Sequence, residues 1–296
     1  SMASSQVIAT AARVLATTKN LVVKYDPAAD GPREGQFMPW SKSSLVPALT
    51  QVAAAWAPQG LYTHQHLAVE SVLAGQDTIA ATRTSSGKSL IFSLPALNAL
   101  CQDDSATALF LYPQKALAND QLAKLRGQVS EVPELQRLQA QRPHLISRYD
   151  GGVPSEDRKE IRDQVQIMLT NPDMLHLAIL QHHTTHWARF FANLKIVAID
   201  ECHEYRGIFG TNVAYVMRRL RQICHMHGSD PTFVATSATV ADPQQHLHNL
   251  VGKDFALVGA DEDGSQQGGI INLREGGGVH FQHRAVELQR RRGGGG

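Results

Sequence analysis

The stretch "DTIAATRTSSGKSLIFSLPALNAL", residues 77–100, decides how this chain folds. "DTIAAT" is a short run of β-branched and small apolar residues with the character of a buried strand, and "LIFSLPALNAL" is an apolar segment of helical length. Between them, "SSGKS" is a turn of small residues. Strand, loop and helix in that order aim the turn's backbone N–H groups and the positive end of the helix at one point, which suits an anion. A phosphate loop is spelled G-x-x-x-x-G-K-[ST]; here Thr82 stands at the first glycine, and only Gly87, Lys88 and Ser89 fit. On the nucleotide reading, Lys88 reaches the β- and γ-phosphates and the Ser89 hydroxyl sits on Mg2+. On the plainer reading, the turn caps a helix and nothing more.

The same rhythm extends from Ser44 to about Gly259. The apolar runs "TALFLYP", "HLISRYD", "QIMLTN", "KIVAID" and "TFVATSAT" follow the first strand, with helical-period segments near 64–74, 88–100, 115–128, 155–163, 172–180, 211–227 and 242–250. Strands that are continuously apolar, rather than alternating, belong to a sheet covered on both faces, so the pattern predicts one doubly wound parallel α/β domain. Ligands of such sheets sit outside the carboxyl ends of the strands.

The flanks differ. Residues 1–43 read as an N-terminal extension, with Ser1-Met2 a cloning scar, an alanine-rich stretch of helical character, and then the connector "YDPAADGPREGQFMP". After Asp263 the glycine clusters and the short basic segment of 264–296 read as a linker and tail.

Composition excludes several classes. With 28 Lys+Arg against 27 Asp+Glu the formal charge is +1, so any nucleic-acid partner must be met by a local patch. Three cysteines without C-x-x-C spacing make neither a disulfide framework nor a thiolate zinc site, and fit a reducing compartment. No apolar run approaches the roughly 18 to 20 residues of a membrane helix, so no membrane partner is expected.

Two further segments carry chemistry. "KIVAIDECHEY", residues 195–205, ends a buried strand in Asp200-Glu201. A carboxylate there suits the magnesium of a bound nucleotide, with the adjacent Glu acting on water, although an acidic helix cap has the same spelling. "FVATSAT" ends a strand in Ser237-Ala238-Thr239, whose hydroxyls suit a bond to the acidic loop. "LQHHTTHW" gathers His182, His183 and His186, but no neighbouring Cys or carboxylate completes a metal site.

In order, and with "YPQKALANDQ" and "LTNPDMLH" between the first two, these segments resemble superfamily 2 helicases of the DEAD/DEAH-box type over residues 61–263. The resemblance implies a single RecA-like motor domain of the P-loop NTPase class that uses ATP and Mg2+. "LYTHQ" resembles the adenine-reading Q motif, with Tyr62 and Gln65 at the nucleotide. "ATRTSSGKS" resembles motif I, with Thr84, Ser85, Ser86, Gly87, Lys88 and Ser89 holding phosphate and metal. "DECH" resembles motif II, giving Asp200 to Mg2+ and Glu201 to water, and "TSAT" motif III, with His203, Ser237 and Thr239 in coupling. Pro113, Gln114 and Lys115, Gly151 and Gly152, and Thr170, Asn171 and Pro172 fall after apolar strands and offer small side chains, amides and one cation, which suit a sugar-phosphate track.

The finer wording, including "DECHEYRGIFG" and "DEDGS", is most similar to the YprA/MrfA-type DNA repair helicases. That implies single-stranded or partly unwound DNA as partner and an intracellular setting: cytoplasm or nucleoid in a bacterium, nucleus in a eukaryote. It also suggests that Tyr205-Arg206-Gly207 contacts nucleic acid or a neighbouring domain. These motors act with a second motor domain that supplies arginines, and no second strand-helix series is visible here. The expectation is a first motor domain that turns over ATP only when joined to the second; the alternative is a nucleotide and nucleic-acid binding module without turnover.

Overall fold

The apolar runs become strands in a computed structural model that describes residues 22–24, 37–81, 87–238, 241–259, 272–275 and 279–281. In chain order they are β1 (Val22–Lys24), β2 (Phe37–Met38), β3 (Leu61–Tyr62), β4 (Thr78–Ala81), β5 (Thr107–Leu111), β6 (Ile146–Arg148), β7 (Ile167–Thr170), β8 (Leu194–Ile199), β9 (Thr232–Ser237), β10 (Ala256–Gly259), β11 (Asn272–Glu275) and β12 (Val279–Phe281). β2 and β3 make a separate antiparallel pair. Among the described residues the others form one sheet in the order β12-β11-β1-β10-β4-β9-β8-β5-β7-β6, and the seven strands from β10 to β6 run parallel.

Side chains alternate across this sheet, and both faces are dry, which is why the runs show no polar period. Ala80, Phe110, Leu169, Ala198 and Val234 face one core, beneath the helices Pro47–Trp56, Thr63–Leu73, Lys88–Gln102, Lys115–Glu131 and Pro133–Gln141. Ile79, Leu109, Met168, Val197 and Phe233 face the other, beneath Asp157–Gln164, Ala188–Ala192, Gly207–Met226 and Pro243–Val251. Truncating one such buried residue to alanine costs ~2–5 kcal/mol, a large part of a domain's ~5–15 kcal/mol. The expected doubly wound, RecA-like parallel sheet is what forms. No helix among the described residues is long and apolar enough to cross a membrane.

Several elements differ from the sequence expectation. The helix expected over 172–180 is a single turn at Pro172–Met174, then a widened turn over Leu175–Ile179 and a tight one over Leu180–His182. Leu180 N–H donates to Leu175 O, and this five-residue closure lets Leu175, Ile179 and Leu180 all be buried on one side. The helix expected from 211 starts at Gly207, whose φ of 62° is a left-handed value that glycine adopts without strain. Helices Pro47–Trp56 and Pro133–Gln141 and the four-residue β10 were not anticipated.

At the flanks, β1 lies within the expected extension and β11 and β12 within the expected tail, yet all three join the sheet through β10. The alanine-rich stretch near the N-terminus lies outside the described residues.

Candidate nucleotide and nucleic-acid site

Parallel strands deliver all their carboxyl ends to one edge, and the strand order sorts the motifs along it. The adjacent β4, β9 and β8 end respectively in the phosphate loop, in Ser237-Ala238 and in Asp200-Glu201. The next three, β5, β7 and β6, end in Pro113-Gln114-Lys115, in Asn171-Pro172 and before Gly151-Gly152. Residues far apart in the chain are thereby divided into two neighbouring groups.

The phosphate loop is pinned at its helix end. Gly87 caps helix Lys88–Gln102 with φ 84°, ψ −1°. The buried Gln65 side chain donates from Nε2 to Gly87 O at 3.0 Å and accepts Tyr62 N–H on Oε1 at 2.9 Å. The left-handed backbone at Gly87 favours glycine, and a Cβ there would lie 1.8 Å from Gln65 Nε2, so it would displace the amide that holds Gly87 O. Tyr62, half-exposed, stacks on Phe37 at 4.6 Å between centroids. Lys88 and Ser89 open the helix at its positive end, where backbone N–H groups are without intrahelical partners.

Asp200 is 9% exposed and follows β8 directly. Its Oδ1 accepts Thr236 Oγ1–H at 2.6 Å and Glu201 N–H at 3.0 Å. Burial pushes its carboxyl above the ordinary carboxylate range, opposed first by the Thr236 bond; the Glu201 charge raises it further and Lys88 lowers it. A buried carboxylate held this way is an electrostatic liability unless a cation meets it. Among the described residues no group of three or more His, Cys, Asp or Glu is arranged to hold a metal, so no all-protein cage exists. One carboxylate beside a phosphate loop fits Mg2+ instead, which takes one or two carboxylates and completes its shell with phosphate and water.

Glu201 is, among the described non-glycine residues, the one with positive φ, at 47°, ψ 45°. That strained turn aims its carboxylate back across the edge, where Oε1 lies 3.6 Å from Lys88 Nζ. His203 Nδ1 accepts Ala238 N–H at 3.1 Å and stands 3.3 Å from Glu201 Oε2, so the imidazole bridges the loops after β8 and β9. The other ring nitrogen, Nε2, lies 3.7 Å from Glu204 Oε1. Cys202 is buried and its thiol is pushed up to about 12 by burial, which leaves it inert as a nucleophile.

In the second group Gln114 and Lys115 are exposed at the start of helix Lys115–Glu131, and Pro113 is half-buried. Gly151 and Gly152 are exposed, with Gly152 N–H donating to Asp150 Oδ1 at 2.7 Å. Asp150 is itself gripped by Arg148, Nε to Oδ2 at 3.0 Å, while Arg158 donates to its carbonyl at 3.0 Å. Thr170 is buried and its hydroxyl donates to Tyr149 O at 2.6 Å, and Asn171 caps the following turn through Met174 N–H at 2.9 Å. Thr170 and Asn171 thus spend their side chains on shaping the edge, and Pro172 is buried beside them.

Of the residues singled out from the sequence, Thr84, Ser85, Ser86 and Thr239 lie outside the described residues. The structure brings Gln65, Gly87, Lys88, Asp200, Glu201 and His203 into one connected network. Ser237, expected to reach the acidic loop, does so at Cys202, while its hydroxyl also lies 2.6 Å from Ala238 O; the hydroxyl that reaches Asp200 is that of Thr236. Thr236 went unnoticed, as did Arg148, Asp150 and Arg158. A fully buried hydroxyl late in an apolar strand was the available signal, since such a group needs a partner. Among the three clustered histidines, His183 pairs with His227 at 2.9 Å.

A parallel sheet with a phosphate loop, an acidic strand end and a hydroxyl-bearing neighbour defines a nucleotide-binding domain of the RecA-like class. The family model for the DEAD/DEAH box helicases matches residues 62–247, and the chain belongs to that family. It is 41% identical over 241 residues to the uncharacterized ATP-dependent helicase YprA of Bacillus subtilis, covering 80% of this chain and 30% of that protein. It is 39% identical over 213 residues to the ATP-dependent helicase HRQ1 of Saccharomyces cerevisiae, covering 71% of this chain and 19% of that one. The solved structure of the DUF1998 helicase MrfA bound to DNA and AMPPNP superposes with a TM-score of 0.67 at 37% identity, over 86% of this chain and 34% of that chain. The chain therefore spans about a third or less of the length of these relatives.

Proposed function

We propose that this chain is the first motor domain of an ATP-dependent DNA helicase, binding Mg-ATP at the ends of β4, β9 and β8 and single-stranded or partly unwound DNA at the ends of β5, β7 and β6. The observation that carries the reading is the contiguity of the two groups on one sheet edge, joined by β8 and β5. Magnesium neutralises charge on the transferring phosphoryl group when bound, and Asp200 and Ser89 would hold it. Lys88, now 3.6 Å from Glu201, exchanges that carboxylate for the β- and γ-phosphates. The freed Glu201 orients and deprotonates water, and His203 carries the change to the loop after β9. On this reading complete catalysis requires arginines from a second motor domain, and the role is an intracellular one in DNA repair, a proposal that the resemblance to MrfA-type helicases supports.

Alone, this domain binds Mg-ATP weakly and hydrolyses it slowly. Nucleotide binding followed by fluorescence, and phosphate release with and without single-stranded DNA, test the assignment. Lys88→Ala abolishes binding, and Glu201→Gln, which removes the general base but not the fold, lowers any DNA-stimulated turnover by ~100-fold or more. A small-molecule acceptor that raises turnover where DNA does not would refute the helicase reading.

A further inference from the structure

Arg206 and Gly207, just past motif II, open onto a cleft of about 520 Å3 between the first half of helix Gly207–Met226 and helix Pro243–Val251. Its walls present Arg206, Thr211, Tyr215, Arg218, His246 and Asn249, and none of the residues lining it is acidic. The longer helix carries Arg218, Arg219 and Arg221 and no Asp or Glu over 20 residues, and the shorter has no acidic residue either. Of these arginines Arg218 lines the cleft with Arg206, while Arg221 donates to Val251 O and Gly252 O, so the cleft itself offers two cations and no acidic residue, a local basic patch in a chain of formal charge +1.

The patch is more than charge. Tyr215 is 64% exposed, and the Arg218 guanidinium lies over one face of its ring, 5.6 Å from the centroid, which leaves the other face for stacking beside a held cation. Thr211 and Asn249 add neutral hydrogen-bonding groups. Cation, aromatic face and neutral polar groups are what a strand of phosphates and stackable bases needs, whereas an acidic peptide has no use for the open ring. The floor is tied to the catalytic loop: His246 Nε2 lies 2.7 Å from Cys202 O. Gly210 packs so closely that a Cβ there would stand 2.5 Å from Tyr205 O.

We propose that this cleft takes a second segment of single-stranded nucleic acid, outside the track at β5, β7 and β6, with Arg206 and Arg218 on phosphates and Tyr215 stacked on a base. The proposal rests on the nucleic-acid binding argued above. It is tested by the anisotropy of a labelled oligothymidylate over a salt series. Each lost phosphate contact lowers the slope of log K against log salt by about 0.7, so Arg206→Ala/Arg218→Ala lowers it by about 1.4. Tyr215→Ala weakens binding about tenfold with the slope unchanged. Arg137→Ala, on a helix of the opposite face, changes neither. The pair Arg206→Gln/Arg218→Gln repeats the charge loss with the side chains' bulk kept, and an iodouracil-substituted strand crosslinks to Tyr215.

Unchanged slopes with wild-type binding intact overturn this proposal alone. So does an effect of Arg137→Ala as large as that of Arg218→Ala, or competition by poly-glutamate as strong as by unlabelled oligothymidylate. Wild-type protein that binds no oligothymidylate overturns the proposed function together with it.

Discussion

Thr236→Val replaces a fully buried hydroxyl by a methyl of nearly the same shape, and so removes the 2.6 Å bond to Asp200 Oδ1 without opening a cavity. A hydrogen bond to an ionised group contributes ~1.5–3 kcal/mol, which for a chain of this size lowers Tm by about 2–5 °C. The loss depends on pH in a defined direction. Burial raises the folded pKa of Asp200 above its unfolded value, so the native state holds the extra proton, and stability from this group falls as pH rises through the interval between the two values. Thr236 opposes that fall, and removing it raises the folded pKa further. The gap between wild type and variant is therefore small below the unfolded pKa, where both carboxyls are protonated, and full above the variant's folded pKa. Thermal melts from pH 4 to pH 8 measure it, and repeating the substitution in Asp200→Asn reduces its cost to ~1 kcal/mol, that of a neutral bond. A gap that is constant with pH, or that widens on acidification, refutes the assignment of Thr236 to the charged carboxylate.

Glu201→Gly relieves the left-handed backbone at φ 47° and is expected to leave the melting temperature equal or up to a few degrees higher, worth ~1 kcal/mol, while ATP turnover by the complete motor is lost. A markedly lower melting temperature would show that the Glu201 side chain holds the fold. Gly87→Ala places a Cβ 1.8 Å from Gln65 Nε2 at a position with φ 84°, so it is expected to cost ~1–3 kcal/mol and to weaken nucleotide binding more than Gln65→Ala does. Equal nucleotide affinity in Gly87→Ala and wild type, by fluorescence titration, would count against the loop assignment.

The fold was legible because its main signals are local. "ALFLY" and "IVAI" are apolar at every position, the spelling of a strand buried on both faces. Lys88, Asp200 and Glu201 were legible because charged side chains at the end of a buried strand or the start of an apolar helix are costly unless an opposite charge meets them, and Gly87 because the left-handed turn before the helix favours glycine. Thr236 was not, since its spelling is that of an ordinary β-branched strand residue. Nor was the widened turn over Leu175–Ile179, which follows from three apolar side chains seeking one core rather than from any helical period. The short β10 was missed for the opposite reason, since four residues carry too little periodicity to register beside the helix before them.

The sequence by itself determined the class of fold, the order of the motifs and the chemical kind of each site residue, because backbone preference and the cost of burying charge act within a few residues. Only the tertiary structure decided which strand ends are neighbours. It is the order β4-β9-β8-β5-β7-β6 that sets Thr236 against Asp200 and Lys88 beside Glu201, and that lays the second group of motifs directly next to the first. Strand order depends on which apolar faces pack together across more than a hundred residues, and no local pattern encodes it.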